Sequence, residues 1–541
     1  MATPWHVSTG IIYYIQGFNI MVSRRQFNQL AAYFSLGSLI PPSISKLFNF
    51  NTTEAEIQQE FKTLLSILDP EIELLVPTYL GNDQRRFYGR GVPENIKQIH
   101  KFPLGTGVTY VGRTRKVWSG AGWTGQPTIT KDRGKTYLII GAFDYYLRKI
   151  ELETQQEIWR YKFDDVIKGT SSIYIDETAT DENRIVVLQG SRSSLSKGGL
   201  ATSFRAISFR TGKELWKLNL RPTPSYSRDN DSSPLYLGDG VIFNAGENAI
   251  GYFLNSSVKT AEKKSGFLQP QILSEVKLYQ DGDSSRHGGN LVSESSPSRL
   301  GNRIFMASGS GHIYGIDLKT RKIVWDFYTG SDIDGSAVIS QDGKLFCAIE
   351  KQYIPANGGI LKLNPNRKPK DSVDWFLPTK NQKFNTWDGG IIGSVALNDE
   401  YNPDGFPAIF ATNAIDGYLY IGSQRITTGK TVTGPLGTGQ YKTPIILVQE
   451  KIGASISTPI FTDGYKLVTA GYNGVYLFNL YWEEARANQS NVIPNERGEY
   501  YRLRVEQTGR FKPEVSFEST PVVWQGQVMI CGRDGGLYTL G

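Results

Sequence analysis

One short unit recurs through this chain and restricts its fold more than any other feature. In its clearest copy, residues 309–325 read GSGHIYGIDLKTRKIVW. Ile313, Tyr314 and Ile316 form one β-branched and aromatic run, and Ile323, Val324 and Trp325 form another. That is the make-up of two short strands. The polar stretch 317–322 between them has the length of a hairpin connection. A hairpin this small cannot bury its own apolar face, so it needs neighbours of the same kind. The chain supplies them. Residues 141–159 and 204–216 repeat the whole unit, each ending in Trp (Trp159, Trp216). Residues 359–365 repeat it with a longer loop before Trp375, while 416–421, 473–478 and 534–540 keep the first strand and lose the Trp. Residues 246–254 are the most diverged copy. With the first unit, these make eight.

A second marker runs out of phase with the first. Gln126 and Pro127, Ser172 and Ile173, Ser233 and Pro234, Ser296 and Pro297, Ser336 and Ala337, Ser394 and Val395, Thr458 and Pro459, and Thr520 and Pro521 each open an apolar run. Several of these runs lead into tight-turn pairs such as Gly238-Asp239, Gly301-Asn302, Asp342-Gly343 and Asp463-Gly464. Two markers at one irregular period, roughly 40 to 65 residues, imply four short strands per repeat. The expected fold is all-β: an eight-bladed β-propeller of four-stranded antiparallel blades over residues 107–541. Residues 109–118 match the second half of the unit, whereas residues 534–540 supply only its first half. An N-terminal strand at 109–118 is therefore expected to complete the last blade and close the ring, which removes an unpaired edge.

Composition agrees with this and narrows the function. Glycine at 57 residues and aromatics at 12% suit many short strands and tight turns. The 59 basic and 52 acidic side chains leave a net charge of +7 with no long basic run, which reads as a solvated surface and not as a nucleic-acid interface. Four histidines, His6, His100, His287 and His312, are too few and too scattered for a multi-histidine metal centre. Cys347 and Cys531 both fall in apolar strand-like runs and are expected to be buried thiols. The Trp residues that end the units are expected to pack between blades, each indole N–H finding a backbone partner.

The N-terminal hundred residues read differently. Arg24 and Arg25, Phe27, an apolar stretch at 30–40 and Pro41-Pro42 follow one another in the order of a twin-arginine export signal. The apolar stretch is too short to span a bilayer. Residues 1–45 are thus expected to be signal-like, the destination periplasmic or an equivalent extracytoplasmic compartment, and the mature chain free of transmembrane segments. In the extension 46–106, Thr53 and Glu56 have capping-box spacing. Ile57, Phe61, Leu64, Leu65 and Leu68 then line one helical face until Asp69-Pro70. The Gly- and Arg-rich residues 80–106 read as a linker.

The turn Thr211-Gly-Lys213 leading to Trp216, with Asp-Gly pairs opening other units, resembles the repeat of the pyrroloquinoline-quinone (PQQ) propeller family over about residues 107–541. That family includes quinoprotein alcohol dehydrogenases and also outer-membrane assembly scaffold lipoproteins that have the fold and no cofactor. The repeat is the structural unit of both branches, so the resemblance implies the fold and leaves the chemistry open.

In a propeller, residues just ahead of the innermost strands converge on one mouth of the axial channel. Here they are Trp123, Lys168, Asp229, Asp231, Arg286, Asn290, Glu294, Asp332, Asp334, Trp387, Asp388 and Glu518. Turn capping by Asp and Asn explains about half of such a set. The remainder composes a site for a small molecule or a partner protein, bound without catalysis by a monomer, around Trp123, Asp231, Arg286, Asn290, Asp334, Trp387 and Asp388. The resemblance implies an alternative, a PQQ-dependent alcohol or sugar dehydrogenase. Glu294, Asn290 and Asp334 would then hold Ca²⁺ through hard oxygen donors, Asp388 would act as catalytic base, and a Trp would stack on PQQ. The chain departs from that branch in having no adjacent cysteine pair and no haem-attachment motif.

Overall fold

The computed structural model describes residues 72–193 and 199–541, together with the backbone of three strands nearer the N-terminus. The chain divides into two units, Met1–Pro70 and Glu71–Gly541. In the first, Trp5–Val7, Gly10–Ile15 and Phe18–Val22 form an antiparallel three-stranded sheet. The arginine pair, the apolar stretch 30–40 and the expected helix lie outside the described residues.

The second unit is an eight-bladed β-propeller. The fourth blade shows the plan: Ser298–Leu300, Arg303–Ala307, His312–Asp317 and Lys322–Tyr328 pair in order, all antiparallel. The recurring sequence unit is therefore the outer hairpin of a blade. Every blade carries a register shift at the same place, within the ladder between its last two strands. In the fourth blade it follows Gly315, where a Cβ would stand 3.0 Å from both Phe305 and Trp325. A bulge there bends the strand and adds local twist. Three of the indoles reach across to the next blade, whereas the buried Trp216 N–H, against expectation, has no hydrogen-bond partner. Trp159 donates to Phe209 O at 2.8 Å, Trp325 to Arg367 O at 3.0 Å and Trp375 to Gln424 O at 3.1 Å. The core correspondingly lies between blades: one cluster joins Phe204 and Trp216 of the second blade to Tyr252 and Leu254 of the third.

The second sequence marker forms a belt around the axis. The backbone N–H of Ser233 donates to Ser296 Oγ at 3.0 Å, Ser296 to Ser336 at 2.8 Å, Ser336 to Ser394 at 3.0 Å and Ser394 to Thr458 at 2.8 Å. Each of these four acceptor hydroxyls, at the head of an innermost strand, thus satisfies the preceding blade's amide.

Two expectations for the N-terminal segment need correction. Ring closure is achieved by Gln98–Pro103, which pairs antiparallel with Gly536–Leu540 as the outermost strand of the eighth blade. Residues 109–118 instead lie in a separate hairpin, Thr106–Val111 with Thr114–Ser119. Trp118 rests on Phe143 with ring centroids 5.3 Å apart, so the Trp marker matched without the blade position. Nor is the stretch before it a linker. Ile72–Val76 adds a fifth strand inside the first blade, on Thr128–Asp132, and Gly89–Arg90 pairs parallel with Val522–Trp524 of the eighth blade.

Between those two strands the chain crosses the channel against the belt. Tyr79, Leu80, Arg85 and Tyr88 are wholly buried. Leu80 N donates to Gln126 Oε1 at 2.8 Å, Tyr79 Oη meets Thr458 Oγ1 at 3.0 Å and Thr78 Oγ1 meets Ser172 Oγ at 2.6 Å. Arg85 spends its guanidinium on oxygen acceptors alone: Pro297 O at 2.8 Å, Tyr79 O at 2.8 Å, Ser233 O at 3.1 Å and Thr78 Oγ1 at 2.7 Å. Burial lowers its pKa to about 10, so it remains charged at neutral pH. The channel is plugged at the level of the belt, and the mouth beyond it is a blind cup.

Candidate functional site

Two tiers of residues reach the cup. The first precedes the innermost strands. The second follows the second strand of each blade, because an antiparallel partner returns the chain to the face from which the first strand started. From the first tier come Lys168, Asp229, Asp231, Glu294, Asp332 and Asp334; from the second come Glu247 and Glu350.

Lys168 stands at the centre of the acidic half. Its ammonium makes a short ion pair with Asp231 and lies 3.3 Å from Glu294 Oε1 and 4.0 Å from Glu247 Oε1. Carboxylate oxygens of Asp231, Glu247 and Glu294 all fall within 4.8 Å of one another. Burial works against the lysine's charge, but Asp231, Glu294 and Glu247 more than offset it and hold its pKa well above the ordinary value. The acids respond in the opposite sense. Burial, with Asp231 and Asp332 adding to it and Lys168 opposing, pushes Glu294 up to about 7. Burial followed by Asp231 and Asp229 raises Glu247 far above an ordinary carboxyl. Burial followed by Glu294, Asp332 and Glu350 does the same to Asp334. Glu350 is raised by burial and then by Asp332 and Glu294.

Asp229 has its own partners, Arg192 Nε at 2.7 Å and Ser193 N at 2.8 Å. Asp332 accepts from Asn290 Nδ2 at 2.6 Å. The Gln352 amide, turned so that its nitrogen donates, reaches Glu350 Oε1 at 2.6 Å and Asp332 Oδ2 at 2.9 Å. Several buried acceptors nevertheless have no hydrogen-bond partner: Asp231 Oδ1, Asn290 Oδ1 and Asp332 Oδ1. The last two both lie 2.8 Å from where a Cβ on Gly309 would be, so only glycine fits between them.

The other half of the mouth is apolar. Ile392, Ile415 and Ile456 form a buried cluster, and Trp123, Phe384 and Trp387 pack against it. Phe384 meets Tyr472 edge-on at 4.6 Å, and Tyr472 Oη donates to Glu518 Oε1 at 2.8 Å. Backbone bonds between Glu350 and Gly390 and from Ile391 N to Ile349 O tie this half to the acidic one.

The structure thus brings Trp123 together with Trp387, and Asp231 and Glu294 together with Lys168. Asp334 feels Glu294 and Asp332 as close charges. Arg286 does not join them: it is half-exposed and binds Asp283 Oδ1 at 2.5 Å. The Asp388 side chain is 65% exposed, 4.0 Å from Lys383. Glu247, Glu350, Arg192 and Gln352 were missed by sequence reasoning. The signal for the two glutamates was available, since both immediately follow strands, Val241–Gly246 and Leu345–Ile349.

No family model and no curated protein matches this chain. Among solved structures it is similar to BamB from Moraxella catarrhalis, with a TM-score of 0.45 and 13% identity over 82% of this chain and 97% of that one. It is also similar to the computationally designed Ika8 protein, with a TM-score of 0.42 and 12% identity over 78% of this chain and 99% of that one. No helix among the described residues is long and apolar enough to cross a membrane.

Proposed function

We propose that this chain is an exported propeller that binds a ligand, or a group of a partner protein, carrying a positive charge beside an apolar body. The observation that carries this reading is the division of one blind cup into halves. Buried carboxyls outnumber their cations on one side, and Trp123, Phe384 and Trp387 stand on the other. Crowded buried carboxyls must hold protons or meet a cation, and aromatic faces attract organic cations. Phenethylamine has both features and phenethyl alcohol lacks the charge. Calorimetric titration should show binding of the amine and none of the alcohol, with Glu294→Gln and Asp231→Asn weakening it by about tenfold or more. Equal binding of both probes would remove the acidic half from the reading.

Export rests on the arginine pair in the sequence. Changing Arg24 and Arg25 to Lys should leave precursor in the cytoplasm, because the guanidinium pair is what the signal presents. Unchanged secretion would refute that part alone.

The PQQ-dehydrogenase alternative has less support. Glu294, Asn290 and Asp334 would have to hold Ca²⁺, yet the Lys168 ammonium already stands 3.3 Å from Glu294. Calcium and PQQ together are expected to give no alcohol-dependent dye reduction.

A further inference from the structure

The hairpin Thr106–Val111 and Thr114–Ser119 belongs to no blade. Its base is fastened to the propeller. Thr109 is buried and accepts from Arg192 Nη1 at 3.2 Å, Val108 N donates to Tyr145 Oη at 2.7 Å, and Arg533 Nη1 donates to Ser119 O at 3.1 Å. Its tip is not covered. Tyr110 and Val111 are 60% and 46% exposed there, with Arg113, Arg115 and Lys116 exposed beside them, and Val117, level with Val108 nearer the base, is 54% exposed. No acidic residue occurs between Glu94 and Asp132, so nothing within the segment offsets these cations.

The pairing register decides what kind of surface this is. Val108 faces Val117 and Tyr110 faces Arg115, so these four share one side of the ribbon; Thr109 faces Lys116 and Val111 faces Thr114 on the other. Thr109's side lies on the propeller, yet Val111, two residues further out, is open to solvent. The tip therefore overhangs and presents apolar groups on both sides with basic groups around them. A protein partner would cap one side. A tip with one exposed apolar side chain on each face, Tyr110 and Val111, set among cations is suited to entering a medium end-on. Two to three strand residues beyond Thr109 reach about 7–10 Å, which matches the depth of interfacial burial in a bilayer.

We infer that this hairpin is a membrane-anchoring finger, its apolar tip entering the headgroup region of an anionic lipid bilayer while Arg113, Arg115 and Lys116 bind lipid phosphates. Tyrosine favours that interface, and each basic residue near an anionic surface contributes about 1 kcal/mol.

The test uses the full chain and vesicles of phosphatidylcholine with or without 30% phosphatidylglycerol, in a sedimentation assay. Binding to the anionic vesicles should exceed binding to the neutral ones by about tenfold or more and weaken with salt. Arg113→Gln, Arg115→Gln and Lys116→Gln combined should abolish the difference. Tyr110→Ser, Val111→Ser and Val117→Ser combined should lower binding by about tenfold at unchanged charge. An environment-sensitive fluorophore on Val111→Cys should shift to the blue with anionic vesicles. If the apolar variant binds as wild type does, or if soluble poly-glutamate is bound as well as the vesicles, the finger is a docking site for an acidic polymer and the inference is wrong. Absence of vesicle binding at low salt would also overturn it.

Discussion

Arg85 donates its Nε to the carbonyl of Pro297 at 2.8 Å, across 212 positions of sequence. Its other donors go to Tyr79, Ser233 and Thr78, and no carboxylate shares in neutralising it through a hydrogen bond. Arg85→Met would remove the charge but strand three carbonyls in a closed channel. We expect a loss of about 3–5 kcal/mol, read as a lower denaturation midpoint in guanidinium. A midpoint equal to wild type would mean that the plug is not part of the fold's stability.

Closure can be tested by separating the strand from the hairpin that follows it. Phe102 pairs with Leu537 and packs into the cluster shared by the first and eighth blades. Phe102→Pro breaks the ladder one pair from its end and should lower Tm by several degrees. Shortening the hairpin by residues 111–116 should leave Tm nearly unchanged. The reverse order of effects would restore 109–118 as the closing strand.

The blades were legible in the sequence because two independent positions per repeat are dictated by local physics. The outer hairpin needs its turn and bulge and in several copies ends in Trp, and the belt puts a hydroxyl at the head of most inner strands. The plug was not legible. Residues 78–88 have no strand or helix period, and Tyr79 and Arg85 are buried only because eight distant segments surround them. The closing strand Gln98–Pro103 has a polar outer side and no Trp, so the look-alike run ending at Trp118 drew the assignment. At the mouth, the first tier could be read from position alone. Glu247 and Glu350 were lost because only the approach to each innermost strand was considered, while Arg286 is next to the cup in sequence and turned to Asp283 in space.

Glu294 gives the cup a pH signature. Its pKa in the folded chain is about 7 against an ordinary 4.5, so between these values the native state keeps a proton that the unfolded chain has released. Its contribution to stability is therefore complete below about pH 4.5 and lost as pH rises through about 7. Urea denaturation of Glu294→Gln should show a flatter decline than wild type across that window. Parallel curves would place the proton elsewhere.

Occupation of the cup by a cation should expel such protons. Phenethylamine stays charged between about pH 6 and about pH 8, so its affinity should rise with pH as carboxyls ionise. Calorimetry in two buffers of different ionisation enthalpy should report net proton release. Proton uptake on binding would contradict the upward shift that burial and neighbouring carboxylates impose on Glu247, Asp334 and Glu350.

The thiols provide a further check on the core. Burial pushes Cys531 up to about 12 and Cys347 higher still, and both are inaccessible. Ellman's reagent should find no reactive thiol in native protein near pH 8 and both after denaturation. Rapid reaction of either in the native state would show that its blade opens.

The hydrogen bond between Tyr79 and Thr520 joins positions 441 residues apart, and this imposes an order on manufacture. The blades have to assemble around a segment that was made before any of them. The eighth blade cannot be completed until its final strand has left the ribosome. While the other blades are being made, the early segment has neither the belt to lie against nor the strand it must pair with. A cell making this protein therefore has to keep an apolar, arginine-bearing stretch from misassociating until synthesis is over.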